Sequence, residues 1–368
     1  MEVSREPKVA IVCDWLTGIG GAERVVLELH KLYPKAPIYT SQYNPKKIDW
    51  FKAADIRTTW LQKLPFSLKK FLSPLRAWAF SRLDLSDYDL VISSSGAEAK
   101  AVKTGLSTIH ICYCHAPTHY YWIRYDEYLK HPGFGKLNWL ARFGLKVLIG
   151  PMRRWDRRAA QRPNYFITNS TFSQAQIQQH YGRQATVISP PVAIERFKPT
   201  ESVKRQGFVI AGRQTPYKRI DLAVAACTKL DLPLTVIGNG PEHSKLVAMA
   251  GPTINFLSNV SDSKMASYFQ AAEAFIFPNV DDFGIVAVEA LAAGTPVIAY
   301  HDGGSLDYIE EGKTGLFFDK QTVPSLIEAL RKISPQRFDH SVIQASVQRF
   351  SAANFRHQFK DFISKVGN

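Results

Sequence analysis

Four short segments hold residue types that could act on a phosphorylated ligand. Gly18-Ile19-Gly20-Gly21-Ala22-Glu23 follows an apolar run and precedes a helical pattern. Glycines at a helix start offer backbone N–H groups to an anion. Glu23 stands where the dinucleotide fingerprint needs its third glycine, and no acid ends a second strand to hold a ribose. A nicotinamide dehydrogenase is therefore not expected. A tight strand-to-helix turn explains the same residues equally well.

Arg213 and Lys218 share the loop Ala211-Gly212-Arg213-Gln214-Thr215-Pro216-Tyr217-Lys218-Arg219. An arginine fork and a compact ammonium suit a leaving diphosphate; a solvated basic loop is the plainer reading. Asp281 and Glu289 lie eight residues apart in Asp281-Asp282-Phe283-Gly284-Ile285-Val286-Ala287-Val288-Glu289. Backbone N–H groups of Phe283, Gly284 and Ile285 would open a helix and suit an anion or a sugar hydroxyl. A carboxylate can accept both hydroxyls of a ribose. Acids capping a helix are the plainer reading here.

His115 closes the run Thr108-Ile109-His110-Ile111-Cys112-Tyr113-Cys114. A histidine at a strand's carboxyl end can donate to a substrate hydroxyl or a reacting oxygen, although a lone histidine is more often structural. Cys112 and Cys114 lack a second ligand pair at zinc spacing, so no metal is expected. There is no Gly-x-Ser-x-Gly elbow and no Walker loop, which weighs against hydrolase and NTPase chemistry.

These loops need elements to carry them. KVAIVCD (8–14), YDLVISSS (88–95), TIHICYC (108–114) and NYFITNS (164–170) read as strands separated by helical patterns. The alternation restarts after Ser189-Pro190-Pro191-Val192 with GFVIAGR (207–213), LPLTVIGNG (232–240), TINFLS (253–258), EAFIFP (273–278), TPVIAY (295–300) and TGLFFD (314–319). A helix is expected from about Arg219 and another over 286–294, and His301-Asp302-Gly303-Gly304 reads as a turn. The expected fold is α/β, with two Rossmann-like domains of parallel strands facing across a cleft. Their bounds are 1–192 and 193–350, with a C-terminal helix over 351–368 returning to the first domain.

The 368 residues suit two domains. Four cysteines are too few for a disulfide scaffold and fit a reducing compartment. No apolar run reaches bilayer-spanning length, and the N-terminus shows no apolar leader core. Net charge is +14, of which residues 61–82 hold +5 and residues 130–162 hold +8. Trp60, Leu61, Leu64, Leu68, Phe71, Leu72, Leu75 and Trp78 recur at helical spacing among the first set of cations. Phe134, Leu137, Trp139, Leu140, Phe143 and Leu148 interleave the second. Apolar stripes with cations describe helices lying on an anionic bilayer; domain core with solvated cations describes them nearly as well.

The order and spacing of GGAERVV (20–26), CYCHAPTHYYW (112–122), NSTFSQAQIQQHYG (169–182), SPPVAIERF (189–197), AGRQTPYKRIDLAVAA (211–226), VIGNGPE (236–242) and DDFGIVAVEALAAGTPVIAYHDGG (281–304) resemble the family 4 retaining glycosyltransferases of the two-Rossmann-domain (GT-B) architecture. The His-Ala-Pro-Thr-His-Tyr-Tyr-Trp and Asp-Phe-Gly-Ile segments look most like bacterial O-antigen and exopolysaccharide mannosyltransferases. The resemblance implies that Arg213 and Lys218 hold the donor diphosphate, and that Glu289 holds the nucleotide ribose. It places His115 near the transferred sugar, and Gly20 and Gly21 in a loop closing over the diphosphate. Asp281 takes the first glutamate position of the E-x7-E motif, one methylene shorter, so Asp282 could take over its contact. Ser258 stands where relatives often have glycine.

The implied activity is transfer of mannose from GDP-mannose to a lipid-linked or polysaccharide acceptor, with retention and without a metal or other cofactor. UDP-linked glucose, galactose or N-acetylglucosamine is the alternative donor. Retention in this family is usually explained by front-side attack, and the sequence forces no protein nucleophile. Lys69, Lys70, Arg153 and Arg154 are the cations expected to meet the membrane or its acceptor. That gives a cytoplasmic protein, peripheral at the inner face of the cell membrane. A sugar-nucleotide epimerase on the same scaffold would not need the basic apolar stretches. A nucleic-acid partner would fit the charge, but no nucleic-acid motif supports it.

Overall fold

A computed structural model describes residues 7–66, 72–130, 132, 135–197, 204–333 and 338–367. Lys69, Lys70, Leu68, Phe71 and Phe134 lie outside the described residues. The chain divides into two compact units, 1–190 with 355–368, and 191–354. The first break falls between the two prolines of Ser189-Pro190-Pro191-Val192. The terminal residues that join the first unit start at Phe355 rather than at 351.

Among the described residues of the first unit, the strands are β1 (Val9–Cys13), β2 (Ile38–Thr40), β3 (Ile56–Thr58), β4 (Leu90–Ser95), β5 (Ile109–Cys114), β6 (Tyr165–Thr168) and β7 (Thr186–Val187). All pair in parallel, in the order β3-β2-β1-β4-β5-β6-β7. The helices are α1 (Gly21–Leu32), α2 (Ser73–Arg82), α3 (Tyr125–Lys130), α4 (Asn138–Ala159) and α5 (Thr171–Tyr181). β1 is apolar throughout because a parallel strand is covered on both faces. Its pleat sends Val9, Ile11 and Cys13 into a core with Val25, Leu29, Phe355 and Phe359. Ala10 and Val12 enter a second core with Phe80 and Ala159.

The second unit repeats the plan with β8 (Phe208–Ala211), β9 (Leu234–Ile237), β10 (Ile254–Leu257), β11 (Ala274–Phe277), β12 (Val297–Tyr300) and β13 (Gly315–Phe318). These too are parallel, in the order β10-β9-β8-β11-β12-β13. Its helices are α6 (Ile220–Leu230), α7 (His243–Ala248), α8 (Asp262–Ala271), α9 (Ile285–Ala292), α10 (Val323–Lys332) and α11 (His340–Ser346). α9 is apolar nearly all round, and Ala287, Val288, Ala290 and Leu291 are wholly buried. A last helix, α12 (Ala352–Val366), supplies Phe355 and Phe359 to the first unit's core.

Both sheets have a point where the strand order reverses, between β1 and β4 and between β8 and β11. Loops leaving adjacent strands in opposite directions open a crevice there, the usual ligand position of an open α/β sheet. The loops after those strands carry Gly20 and Gly21, and Arg213, Lys218 and Asp281.

The helical spacing expected across Trp60–Trp78 is not one helix. A 3-10 turn at Trp60–Lys63 stops at Leu64, whose ψ of 147° is extended, because Pro65 disfavours the helical region before it. α2 then starts afresh at Ser73. Leu61, Leu72 and Arg76 are buried, so they belong to the interior rather than to a surface face.

Candidate active site

In the second unit, β8 delivers the chain to Gly212 and Arg213, then to a 3-10 turn over Pro216–Lys218. Arg219 follows with a φ of 49°, the left-handed region that a residue other than glycine enters only at a cost. Its guanidinium holds Asp221 at 3.2 Å. Gln214 is buried and ties the loop to its neighbour, donating to the Gly238 carbonyl at 2.8 Å. Arg213 is exposed.

β11 delivers the other half of the crevice. The Lys218 ammonium donates to Asp281 Oδ2 in an ion pair that bridges the strand-order reversal, both side chains about one-sixth exposed. The ammonium also lies 6.0 Å from the centre of the Phe277 ring. The structure thus brings Lys218 and Asp281 into contact.

Gly284 caps α9 with φ 85°. A Cβ there would lie 2.5 Å from the Phe277 ring and 2.8 Å from the Tyr308 hydroxyl, so the position needs glycine for both conformation and space. Phe283 is buried against Tyr308 and Phe350, so its contribution to a ligand is confined to its backbone. Ile285 begins the helix and Glu289 lies one turn on, largely buried. Gly304 supports this loop: its N–H donates to the Asp281 carbonyl at 2.8 Å, and a Cβ there would lie 2.6 Å from Phe283 Cα. The Gly303-Gly304 pair therefore seats Asp281 and Phe283, a role the sequence showed only as a turn.

In the first unit, Gly20 caps α1 and Gly21 begins it. His115 follows β5 directly. Its Nε2 lies 2.8 Å from Ser94 Oγ at the end of β4, and its ring meets Tyr113 edge-on at 5.1 Å. Its carbonyl accepts from Asn169 at 2.8 Å and from Ser173 at 3.3 Å. The imidazole is thus held by Ser94, 21 positions away, and the backbone beneath it by residues 54 and 58 positions away. Asp14, at the end of β1, accepts from the N–H groups of Gly96, Ala97 and Ala99 at 2.8, 3.0 and 2.7 Å. Burial raises its pKa above the usual carboxylate value, and nearby Glu98 adds to that.

Sequence reasoning missed Ser94, Asn169, Asp14 and Asn279. Asn279 stands two residues before Asp281, buried, and its Nδ2 finds no hydrogen-bond acceptor among the described residues. A buried amide without an acceptor is costly to leave so.

Of the four cations expected at a membrane, Arg153 and Arg154 lie among the described residues, and they differ. Arg154 is exposed. Arg153 is half-buried, donates to the Tyr121 carbonyl at 2.6 Å and lies over the Trp122 and Tyr125 rings. It holds the wall of the fold and is not a free surface charge. Arg76 is buried against Glu98. The lone acid of the second basic stretch, Asp156, is also buried, and pairs with Lys100 at 2.7 Å. Among the described residues, no group of three or more His, Cys, Asp or Glu side chains is gathered as a metal site, and no helix is long and apolar enough to cross a membrane.

Two family models match the chain, Glycosyltransferase Family 4 over residues 19–196 and glycosyl transferases group 1 over residues 192–346. The chain belongs to the family 4 glycosyltransferases of GT-B fold. D-rhamnosyltransferase WbpZ of Pseudomonas aeruginosa is 27% identical over 221 residues, 55% of each chain. A GDP-mannose-dependent alpha-(1-6)-phosphatidylinositol monomannoside mannosyltransferase of Mycobacterium tuberculosis is 25% identical over 211 residues, 49% of this chain and 54% of that one. The chain spans about half the length of the curated relatives it matches. Anabaena Alr3699/HepE, solved with UDP and glucose, superposes with a TM-score of 0.69 at 18% identity, covering 98% of this chain and 100% of that one.

Proposed function

We propose that this protein transfers a hexose, mannose from GDP-mannose, with retention to a lipid-linked or polysaccharide acceptor in cell-surface glycan synthesis. The observation that carries this reading is the Lys218–Asp281 pair at the strand-order reversal, at the N-terminal side of α9 and of Glu289. Lys218, with Arg213, neutralises the charge that develops on the departing diphosphate, a role in which fixed electrostatics serve without a metal. Glu289 receives the ribose hydroxyls. Asp281 reaches the donor sugar. Backbone N–H groups at Gly284 and Ile285 face the donor, and those at Gly20 and Gly21 close over its diphosphate. His115, held by Ser94, donates to the transferred sugar. The protein works peripherally, at the cytoplasmic face of an anionic membrane.

The mannosyltransferase among the relatives supports GDP-mannose. The Anabaena protein, solved with UDP and glucose, favours a second reading in which the donor is a UDP-hexose. Thermal unfolding with GDP-mannose, UDP-glucose, UDP-galactose and UDP-N-acetylglucosamine separates the two, since a ligand that binds only the folded state raises the midpoint. GDP-mannose is expected to give the largest rise. A larger rise with a UDP-sugar selects the second reading, and no rise with any of the four overturns both.

A further inference from the structure

The first unit holds a cavity of about 450 Å³ that none of the donor chemistry uses. Trp15, Tyr120, Tyr121, Leu145, Ile149 and Met152 are among its walls. Trp15 stands two residues past β1, and Tyr120 and Tyr121 stand beyond β5, in the segment that begins with His115. The cavity therefore lies at the carboxyl edge of the sheet, the edge that also carries His115 and Gly20. Leu140 and Leu148 line it and are exposed as well, so it reaches the surface along α4.

Its polar wall atoms are turned on one another. The buried Glu98 carboxylate accepts from Arg76 Nε at 2.8 Å, Tyr120 Oη at 2.6 Å and Ser73 Oγ at 2.6 Å. What remains for a ligand is carbon and ring faces. A soluble glycan placed there would lose its water without gaining partners.

The outer face of α4 points to the occupant. Trp139 and Phe143 are 67% and 64% exposed, with Val147 beside them, a run of apolar surface that soluble chains usually hide. Arg142, Lys146, Arg154 and Arg158 are exposed on the same helix, and its only acid, Asp156, is buried on Lys100. Apolar tips among cations suit a helix resting in the headgroup layer of an anionic bilayer. A nucleic acid would match the cations and leave the apolar tips and the cavity unexplained.

We propose that this cavity takes the hydrocarbon chain of a phosphate-linked lipid, the acceptor itself, while α4 rests on the membrane that supplies it. The proposal rests on the glycosyl-transfer reading and names its acceptor class. The cavity would hold the chain's phosphate-proximal units, leaving the head at the sheet edge beside His115.

Gly144 gives the test. It lines the cavity from α4, and a Cβ built there meets no atom within 4 Å, so a side chain can start there without a clash and Gly144→Phe is chosen to fill the space. Binding of farnesyl phosphate and of dimethylallyl phosphate is measured by calorimetry on the whole chain. The intact protein should bind the longer chain at least tenfold more tightly, and Gly144→Phe should lose that preference while keeping its circular dichroism. Met152→Phe, filling the same cavity, serves if the first variant does not fold. Equal affinity for the two phosphates, no binding of either, or unchanged farnesyl phosphate affinity in a folded variant would overturn the proposal. Sugar-nucleotide stabilisation, measured alongside, reports on the transferase reading separately: its absence with farnesyl phosphate binding intact leaves a lipid site without that function.

Discussion

The Lys218 ammonium and the Asp281 carboxylate form an ion pair across the strand-order reversal of the second unit, joining the loop after β8 to the loop after β11. A donor diphosphate at Lys218 competes with that carboxylate for the same positive charge. Asp281→Asn removes the competitor and should lower the Kd of GDP at least threefold, read by calorimetry. Lys218→Ala should do the opposite to catalysis: turnover falls about 100-fold, the scale of losing one electrostatic contact to a transition state. Near-normal turnover in Lys218→Ala would remove it from the mechanism.

Glu289 sits within α9 and is largely buried. A ribose contact is made equally by the free nucleotide and the sugar nucleotide. Glu289→Ala should therefore weaken both, by about tenfold for a charged hydrogen bond worth roughly 1.5 kcal/mol. Unchanged GDP affinity would take the ribose away from Glu289.

Ser94 touches no ligand in this account and acts on His115 alone, through a contact of 2.8 Å. Ser94→Ala should lower kcat about fivefold, the equivalent of a hydrogen bond worth about 1 kcal/mol, and leave KM nearly unchanged. Ser94→Thr, which keeps the hydroxyl, should recover most of the loss. A purely structural role predicts instead that the alanine variant unfolds earlier with kcat intact.

His110 gives the fold a pH dependence. It is wholly buried, its Nε2 lies 2.9 Å from Ser93 Oγ, and its Nδ1 has no partner among the described residues. Burial, reinforced by the charges of Arg162 and Arg183, pulls its pKa down from 6.5 to about 3. The folded state thus holds a neutral ring that the unfolded state protonates. This contribution is full above pH 6.5 and is lost as pH falls toward 3, at about 1.4 kcal/mol per pH unit for one proton. Urea unfolding between pH 7 and 4 should show that slope, and His110→Leu should flatten it by one proton. Parallel curves for the two proteins would mean that His110 is protonated in the fold.

The strands were readable because buried parallel strands are rich in apolar residues: β1, β8 and β11 are apolar throughout, and β4 and β5 carry apolar stretches interrupted by serine or histidine. β2, β3 and β7 were not, being two or three residues long with no pattern to detect. Arg213, Lys218, Asp281 and Glu289 could be found because their type and spacing are local. Ser94 and Asp14 could not, since their partners lie 21 and more than 80 residues away and only the sheet brings them together. Charge misled where burial decides: Arg76 and Arg153 count as surface cations in the sequence, yet Arg76 is buried on Glu98 and Arg153 is half-buried on the Tyr121 carbonyl, partners that composition does not show.

The central claim is sugar transfer from a nucleotide donor with retained configuration. The direct measurement is proton NMR of the product made from GDP-mannose, an α-linked donor, and a farnesyl-phosphate-linked glycan acceptor. The account predicts a new α-mannosyl linkage, with its one-bond carbon–hydrogen coupling in the α range, and release of GDP in equal amount. A β-linked product, or GDP-mannose left intact with UDP-sugars equally untouched, would contradict it.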